Sequence, residues 1–137
     1  MPLSVELVCV DPKQVQEFWP HVRSMLFGAV LRTKLSHTRD VEAQVLDGSA
    51  LLWLAWNGRN IEAACVTALR RTDDGTVCIM LACAGRKRDR WLHLLERIEQ
   101  YAKAEACISL RIFGRVGWER VLPGYRKTAI VLEKELT

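Results

Sequence analysis

The 137-residue chain holds little of what interrupts regular structure: four prolines and eight glycines. That is too few for a collagenous, low-complexity or disordered protein. No apolar run exceeds eight residues, whereas a membrane-spanning helix needs roughly 18 or more. The amino terminus lacks a basic segment followed by a long apolar stretch, so no secretory leader is expected. The five cysteines contain no Cys-x-x-Cys pair and have no histidine at ligand spacing, which argues against a metal centre. They sit in apolar, strand-like runs, where a free thiol serves as a small buried hydrophobe in a reducing compartment. His21, His37 and His93 are scattered and read as surface or capping residues. No Ser-His-Asp pattern, phosphate loop, dinucleotide-binding glycine pattern or nucleic-acid motif is present. Half the residues are hydrophobic and 26% are charged. This predicts one domain over residues 1–137, large enough for a self-sufficient core, soluble and cytoplasmic, with no membrane association.

The net charge of +4 is unevenly placed. Residues 1–83 carry 8 Lys/Arg against 9 Asp/Glu, whereas residues 84–127 carry 11 against 5. Such a basic segment suits phosphate, nucleic acid or an acidic protein face; a solvated helix face with basic loops explains it equally well.

Ser4 to Val10 reads as a first strand. Asp11-Pro12 starts a helix, with Asp11 as cap and Pro12 at the first helical position. Val15, Phe18, Trp19, Val22 and Leu26 mark its buried face, and Pro20 predicts a kink or break. A second helix begins near Thr38, with Thr38 as cap and Val41, Val45 and Leu46 as its face. Asp47-Gly48 ends it. Ala50 to Trp56 is apolar on both faces, as a central strand is. Asn57-Gly58 signals a hairpin, Ile61 to Leu69 returns, Asp74-Gly75 turns, and Thr76 to Cys83 completes a meander. A basic loop, Ala84 to Arg90, leads into a long helix ending near Ala104. Asp89 would cap it, Trp91, Leu94, Leu95, Ile98 and Ala102 would be buried, and Glu99 with Lys103 forms a favourable pair. Cys107 to Phe113 is a strand, Trp118 to Leu122 a short helix and Thr128 to Leu136 a last strand. The order β-α-α-β-β-β-α-β-α-β predicts a mixed sheet, parallel across the long helix and antiparallel in the meander, of α+β or α/β class.

That order resembles the GNAT N-acetyltransferase fold over the whole chain, most closely from Thr76 onward. Leu110-Arg111-Ile112-Phe113-Gly114-Arg115 and Gly117-Trp118-Glu119-Arg120-Val121-Leu122 also look like small GNAT-like proteins of tailed phages and prophages. The resemblance implies that the loop before the long helix holds the CoA pyrophosphate through an Arg/Gln-x-x-Gly-x-Gly/Ala pattern. Arg86 falls on the Arg/Gln position, but Asp89 and Trp91 replace the glycines. An Asp adds negative charge there, and a Trp fills space that glycine leaves for phosphate oxygens. Arg86, Lys87, Arg88 and Arg90 remain to attract phosphate by side chain. The resemblance further implies transfer of an acetyl group to an amine between two splayed parallel strands, with a base and a Tyr acid. Arg120 stands where that Tyr is expected. Glu62, the sole mid-strand carboxylate of the meander, and Tyr125 are the catalytic candidates; a residue like Glu62 more often faces solvent or pairs with an Arg, and the resemblance implies that the Tyr125 position usually serves packing.

Of the five tryptophans, Trp53, Trp56 and Trp91 are expected in the core, and Trp19 and Trp118 on shorter amphipathic segments. Trp118 with Arg115 and Arg120 is the candidate partner-binding patch. Three functions follow. The altered glycines favour a non-catalytic accessory or assembly protein of phage type, in the host cytoplasm or virion, with a protein partner. The alternative is an acetyl-CoA-dependent N-acyltransferase acting on an amine. A nucleic-acid-binding protein rests on the basic segment alone.

Overall fold

A computed structural model describes residues 4–113 and 117–137. Strand β1 (Glu6–Cys9) leads to Asp11, whose carboxylate accepts the Lys13 N–H at 2.9 Å and opens a 3-10 turn with Pro12 first. Helix α1 (Val15–Thr33) follows and buries Val15, Trp19, Val22, Leu26 and Val30. It continues through Pro20 without the expected break. Proline deprives only the Gln16 carbonyl of a partner, and both residues face solvent, where that carbonyl is open to hydration, while the opposite face holds the helix. Helix α2 (Thr38–Asp47) is capped by His37 rather than Thr38. The His37 ring Nδ1 accepts the Arg39 N–H at 3.1 Å while Thr38 is already helical. Val41 and Val45 are buried, but Leu46 is exposed.

The sheet is a five-stranded layer in chain order. Strands β2 (Ala50–Trp56), β3 (Ile61–Thr72) and β4 (Gly75–Gly85) form the antiparallel meander, and β1 adds antiparallel to β2. Helix α3 (Leu95–Ala104) crosses to β5 (Ser109–Ile112), which pairs parallel with β4. Helix α4 (Gly117–Val121) follows. Alternation sorts the side chains. Leu52, Leu54, Val66, Val77 and Ile79 pack under α1 and α2, and Trp53, Cys65 and Met80 pack under α3 and Leu122. Fold class and mixed pairing are therefore as expected. Among the described residues no helix is long and apolar enough to cross a membrane.

Three differences from the sequence reading have physical causes. Residues 128–136 form no strand and lie exposed, because no described strand accepts them into a ladder. The long helix starts at Leu95, not near Arg90; two 3-10 turns, Arg88–Arg90 and Leu92–Leu94, precede it, so Asp89 caps nothing. Glu99 accepts the Tyr125 hydroxyl instead of pairing with Lys103. Among the aromatics, Trp19 is buried, and its indole N–H donates to Glu42 Oε2 at 2.7 Å; Trp56 is exposed. Cys65 and Cys78 are buried thiols, but Cys9 is exposed.

Thr67 is the one buried polar side chain of the described core. Its hydroxyl accepts the Trp53 indole N–H at 2.9 Å, and the Trp53 ring meets Tyr101 edge-on at 5.2 Å. Thr67→Val keeps the volume but strands that indole N–H in the core. The expected loss is about 1–3 kcal/mol of stability, measured by urea unfolding.

Candidate functional site

The parallel ladder between β4 and β5 ends at the Met80–Ile112 pair, with the Phe113 N–H donating to the Met80 carbonyl at 3.3 Å. Strand β4 continues five residues further, to Gly85, paired only with β3. The β3 register slips between Val66 and Thr67, so a bulge at Leu81 falls one residue beyond the last β4–β5 pair. A bulge increases local twist and re-aims side chains, and here it brings Leu81, Ala82 and Ala84 all into the core under α1. Strand β5 ends here, while β4 runs on.

Gly85 ends β4 against Ala63 of β3. A Cβ there would lie 2.5 Å from the Ala63 Cβ and 2.7 Å from the Glu62 carbonyl oxygen, so glycine is required by close approach. The next residue turns back on the same neighbour, the Arg86 N–H donating to that carbonyl at 3.2 Å. Lys87 adopts the left-handed conformation at φ 49, and the first 3-10 turn follows. Trp91 then folds inward. It is buried beside Ala55, Ala63 and Leu94, and its indole N–H donates to the Arg86 carbonyl at 2.8 Å. The Arg90 and Trp91 amides bond to the Lys87 and Arg88 carbonyls. These amides are engaged within the loop, and the indole fills the space beneath it. Asp89 and Trp91 stand where the resemblance implied glycines.

Glu62 organises the loop from below. Its Oε1 accepts the Arg90 Nε–H at 2.5 Å, and its Oε2 accepts from Arg90 Nη2 at 2.8 Å and Asn57 Nδ2 at 2.9 Å. Asn57 is itself locked, its Oδ1 accepting the Arg59 and Asn60 amides at 2.8 Å. The Arg90 bonds, reinforced by Asn57 and opposed by burial, bring the Glu62 carboxyl down to about 2. A carboxylate of that strength takes no proton near neutrality, so Glu62 sits here as an anchor for Arg90. The second catalytic candidate stands on the other face of the sheet. Tyr125 packs among the residues under α3, and its hydroxyl donates to Glu99 Oε2 at 2.8 Å. Burial first, and then Glu99, raise its pKa above the ordinary phenol range. Glu62 and Tyr125 therefore do not share one site.

A groove of about 950 Å³ opens beside Glu62, between α1, the β2–β3 turn and the end of β4. Arg86, Lys87 and Arg90 line it, joined by Arg32 of α1 and by Asn57 and Asn60. The side chains of Arg86, Lys87 and Arg88 are exposed, and Arg88 lies outside the groove. Arg32 and the two asparagines had no sequence signal as site residues, because only the packing of α1 over the sheet brings them there. Trp118 is half-buried against the α3-side core, Arg120 is exposed on α4, and Arg115 lies outside the described residues.

Two outcomes follow from this geometry. Gly85→Ala forces β3 and β4 apart and should cost about 1–3 kcal/mol in chemical denaturation. The Glu62 pKa is lower in the folded chain than in the unfolded one. Its stabilisation is therefore complete above about pH 4.5 and is lost as pH falls toward about 2. Glu62→Gln should lower the melting temperature at pH 7 and flatten the stability profile between those limits, measured by thermal unfolding across pH.

No family model matches the chain, and no curated protein matches it in sequence. Solved structures do match in fold. A GNAT family acetyltransferase from Staphylococcus aureus superposes at TM-score 0.64 and 12% identity, covering 98% of this chain and 100% of its own. A predicted acetyltransferase from Clostridium acetobutylicum, solved with acetyl-CoA, superposes at 0.63 and 15%, covering 96% of each chain. A ribosomal-protein-alanine N-acetyltransferase from Brucella melitensis superposes at 0.66 and 13%, covering 96% of this chain and 100% of its own. From end to end, the chain has the fold of the GNAT acetyltransferases.

Proposed function

We propose that this protein is an acyl-CoA-dependent N-acyltransferase that grips the phosphates of its cofactor by side chains in place of a glycine cradle. The observation that carries the reading is that β4 outruns its parallel partner β5 and leads into a loop of four cations. The full-length likeness to acetyltransferases, one of them solved with acetyl-CoA, supports it over an accessory or assembly role.

The donor set suits a pyrophosphate in charge but not in backbone shape. Arg86, Lys87 and Arg88 present exposed cations, and their long side chains reach phosphate oxygens without glycine beneath them. Arg90 is held by Glu62, which keeps one guanidinium in a set orientation at the groove wall. When bound, acyl-CoA supplies the electrophilic thioester carbonyl. The open groove beside Glu62 would receive the amine; as its nitrogen bonded the acyl carbon and the C–S bond broke, solvent water would take the nitrogen's proton, since Glu62 is too weak a base, and CoA would leave as a thiolate that solvent protonates. The Tyr125 hydroxyl proton stays committed to Glu99 Oε2.

Acetyl-CoA at 100 times its dissociation constant should stabilise the protein by about 2.7 kcal/mol, read as a rise in melting temperature. Arg86→Ala with Arg88→Ala should abolish the rise without unfolding the protein, and added salt should weaken it. Release of free thiol from acetyl-CoA in the presence of a panel of amines tests transfer itself. Absence of any thermal shift at millimolar acetyl-CoA overturns the proposal. A shift without thiol release returns the non-catalytic reading, with the partner-binding role of Arg115, Trp118 and Arg120 then tested by substitution.

A further inference from the structure

Two cysteines face each other across the antiparallel β3–β4 ladder. Cys65 and Cys83 are register partners, and the end of the ladder shows which kind of pair they form. The Arg86 N–H donates to the Glu62 carbonyl, which marks residues 62 and 86 as a hydrogen-bonded pair. Such pairs alternate with non-hydrogen-bonded ones along antiparallel strands, and the register is regular from there to Val66. Ala63 with Gly85 and Cys65 with Cys83 are therefore non-hydrogen-bonded pairs, in which the backbones come closest, at about 4.5 Å between Cα atoms. A disulfide spans about 4.4–6.8 Å between Cα atoms, so the pairing suits one. The ladder is also pinched at this end: a Cβ on Gly85 would lie 2.5 Å from the Ala63 Cβ. Facing Cβ atoms ordinarily stand about 4.5–5.5 Å apart. Cys65 and Cys83 are the next pair of the same kind on the same face. We propose that Cys65 and Cys83 form an oxidation site, closing into a cross-strand disulfide when the folded protein meets hydrogen peroxide.

The surroundings set the order of events. Both residues line one small apolar cavity of about 20 Å³, together with Trp53, Trp91 and Leu94. That is roughly the room of one water, so hydrogen peroxide comes nearest in size among oxidants and a bulky disulfide does not fit. The two thiols stand within hydrogen-bonding reach of each other, and that contact, with burial, raises the Cys65 pKa. Cys83 is half-buried and Cys65 buried, so Cys83 reacts first. Its Sγ, having given its proton to solvent, attacks one peroxide oxygen; the O–O bond breaks and the departing hydroxide takes up a proton to become water. The Cys65 Sγ then attacks the sulfenic sulfur of Cys83, the S–O bond breaks, and the Cys65 proton leaves with that hydroxyl as a second water. Two thiols lose two electrons and one peroxide becomes two waters. The other thiols are placed elsewhere: Trp53 stands between Cys9 and Cys65 in the row across the sheet, and Cys78 faces Leu69 on β3 and Leu110 on β5. The bond ties β4 to β3 two residues before Gly85, fastening the strand end that carries the cationic loop. This inference does not depend on the acyltransferase reading.

Peroxide treatment of the folded full chain, alkylation of the remaining thiols in denaturant and tryptic mass mapping test it. Trypsin cuts after Arg59, Arg70, Arg71 and Arg86 and so separates the two cysteines. The expected product is peptide 60–70 joined to peptide 72–86, about 2 Da lighter than the two reduced peptides together, and lost when dithiothreitol precedes alkylation. Cys78 shares the second peptide, so fragment ions of the linked pair should place the bond on Cys83 in the wild-type chain. Cys83→Ala should abolish the link and Cys78→Ala should keep it, each variant first shown by its melting to be folded. Absence of the linked pair at millimolar peroxide, or fragment ions that place the bond on Cys78, would overturn the inference. So would a link that survives Cys83→Ala, or Cys83 passing on to sulfinic acid while Cys65 still alkylates.

Discussion

Strand β4 is the member on which the other elements depend. Val77 through Ala82 are buried on both faces of the sheet, so the strand accepts side chains from α1 on one side and α3 on the other. It also changes pairing mode across its width, antiparallel to β3 and parallel to β5. Both demands are met by a run of apolar residues with no charge, which pays for its desolvated backbone only by being fully hydrogen-bonded along its middle. Where that pairing lapses on the β5 side, the bulge at Leu81, the Gly85 approach and the cationic loop follow in direct succession. The candidate site is thus the place where the central strand outruns one of its neighbours.

The loop beyond β4 shows how a fold is kept while its local chemistry shifts. Trp91 turns inward because an indole of that size finds small neighbours, Ala55 and Ala63, under the loop and a carbonyl for its N–H. The Arg90 and Trp91 amides are held within the same turn. Glu62 and Asn57 brace the same loop through Arg90, so one of the cations is spent on structure and the others project to solvent. On the proposed reading, a polyphosphate here would rest on flexible side chains, which bind more weakly and with more salt sensitivity than a preformed cradle.

Much of the architecture was legible beforehand because it follows from local period and turn chemistry. Ala50–Trp56 begins and ends where its apolar run does, and Gly48 closes α2 at positive φ. The parallel pairing of β4 with β5 followed from the intervening helix. The site was legible in part. Arg86, Lys87 and Glu62 meet at one groove, and the alternative of an Arg-paired Glu62 was visible, but neither its partner nor Arg32 was. Those lie 28 and 30 residues from Glu62 along the chain, and no sequence period relates them. That Tyr125 packs on the α3 side of the sheet, opposite Glu62, was not legible, because proximity in a motif does not say which face of a sheet a side chain reaches.

The sequence by itself determined the class of the fold, the order of its elements and the concentration of positive charge after residue 83. These properties arise from hydrophobic period, turn residues and composition, each of which acts over a few residues. Tertiary structure alone decided that α1 runs through Pro20, that Trp91 fills the loop and that Arg90 binds Glu62. It also decided that residues 128–136 lie unpaired, although their composition is that of a strand. A helix, a loop or a strand edge is settled by what packs against it, and burial and hydrogen bonding are satisfied only between residues far apart in the chain.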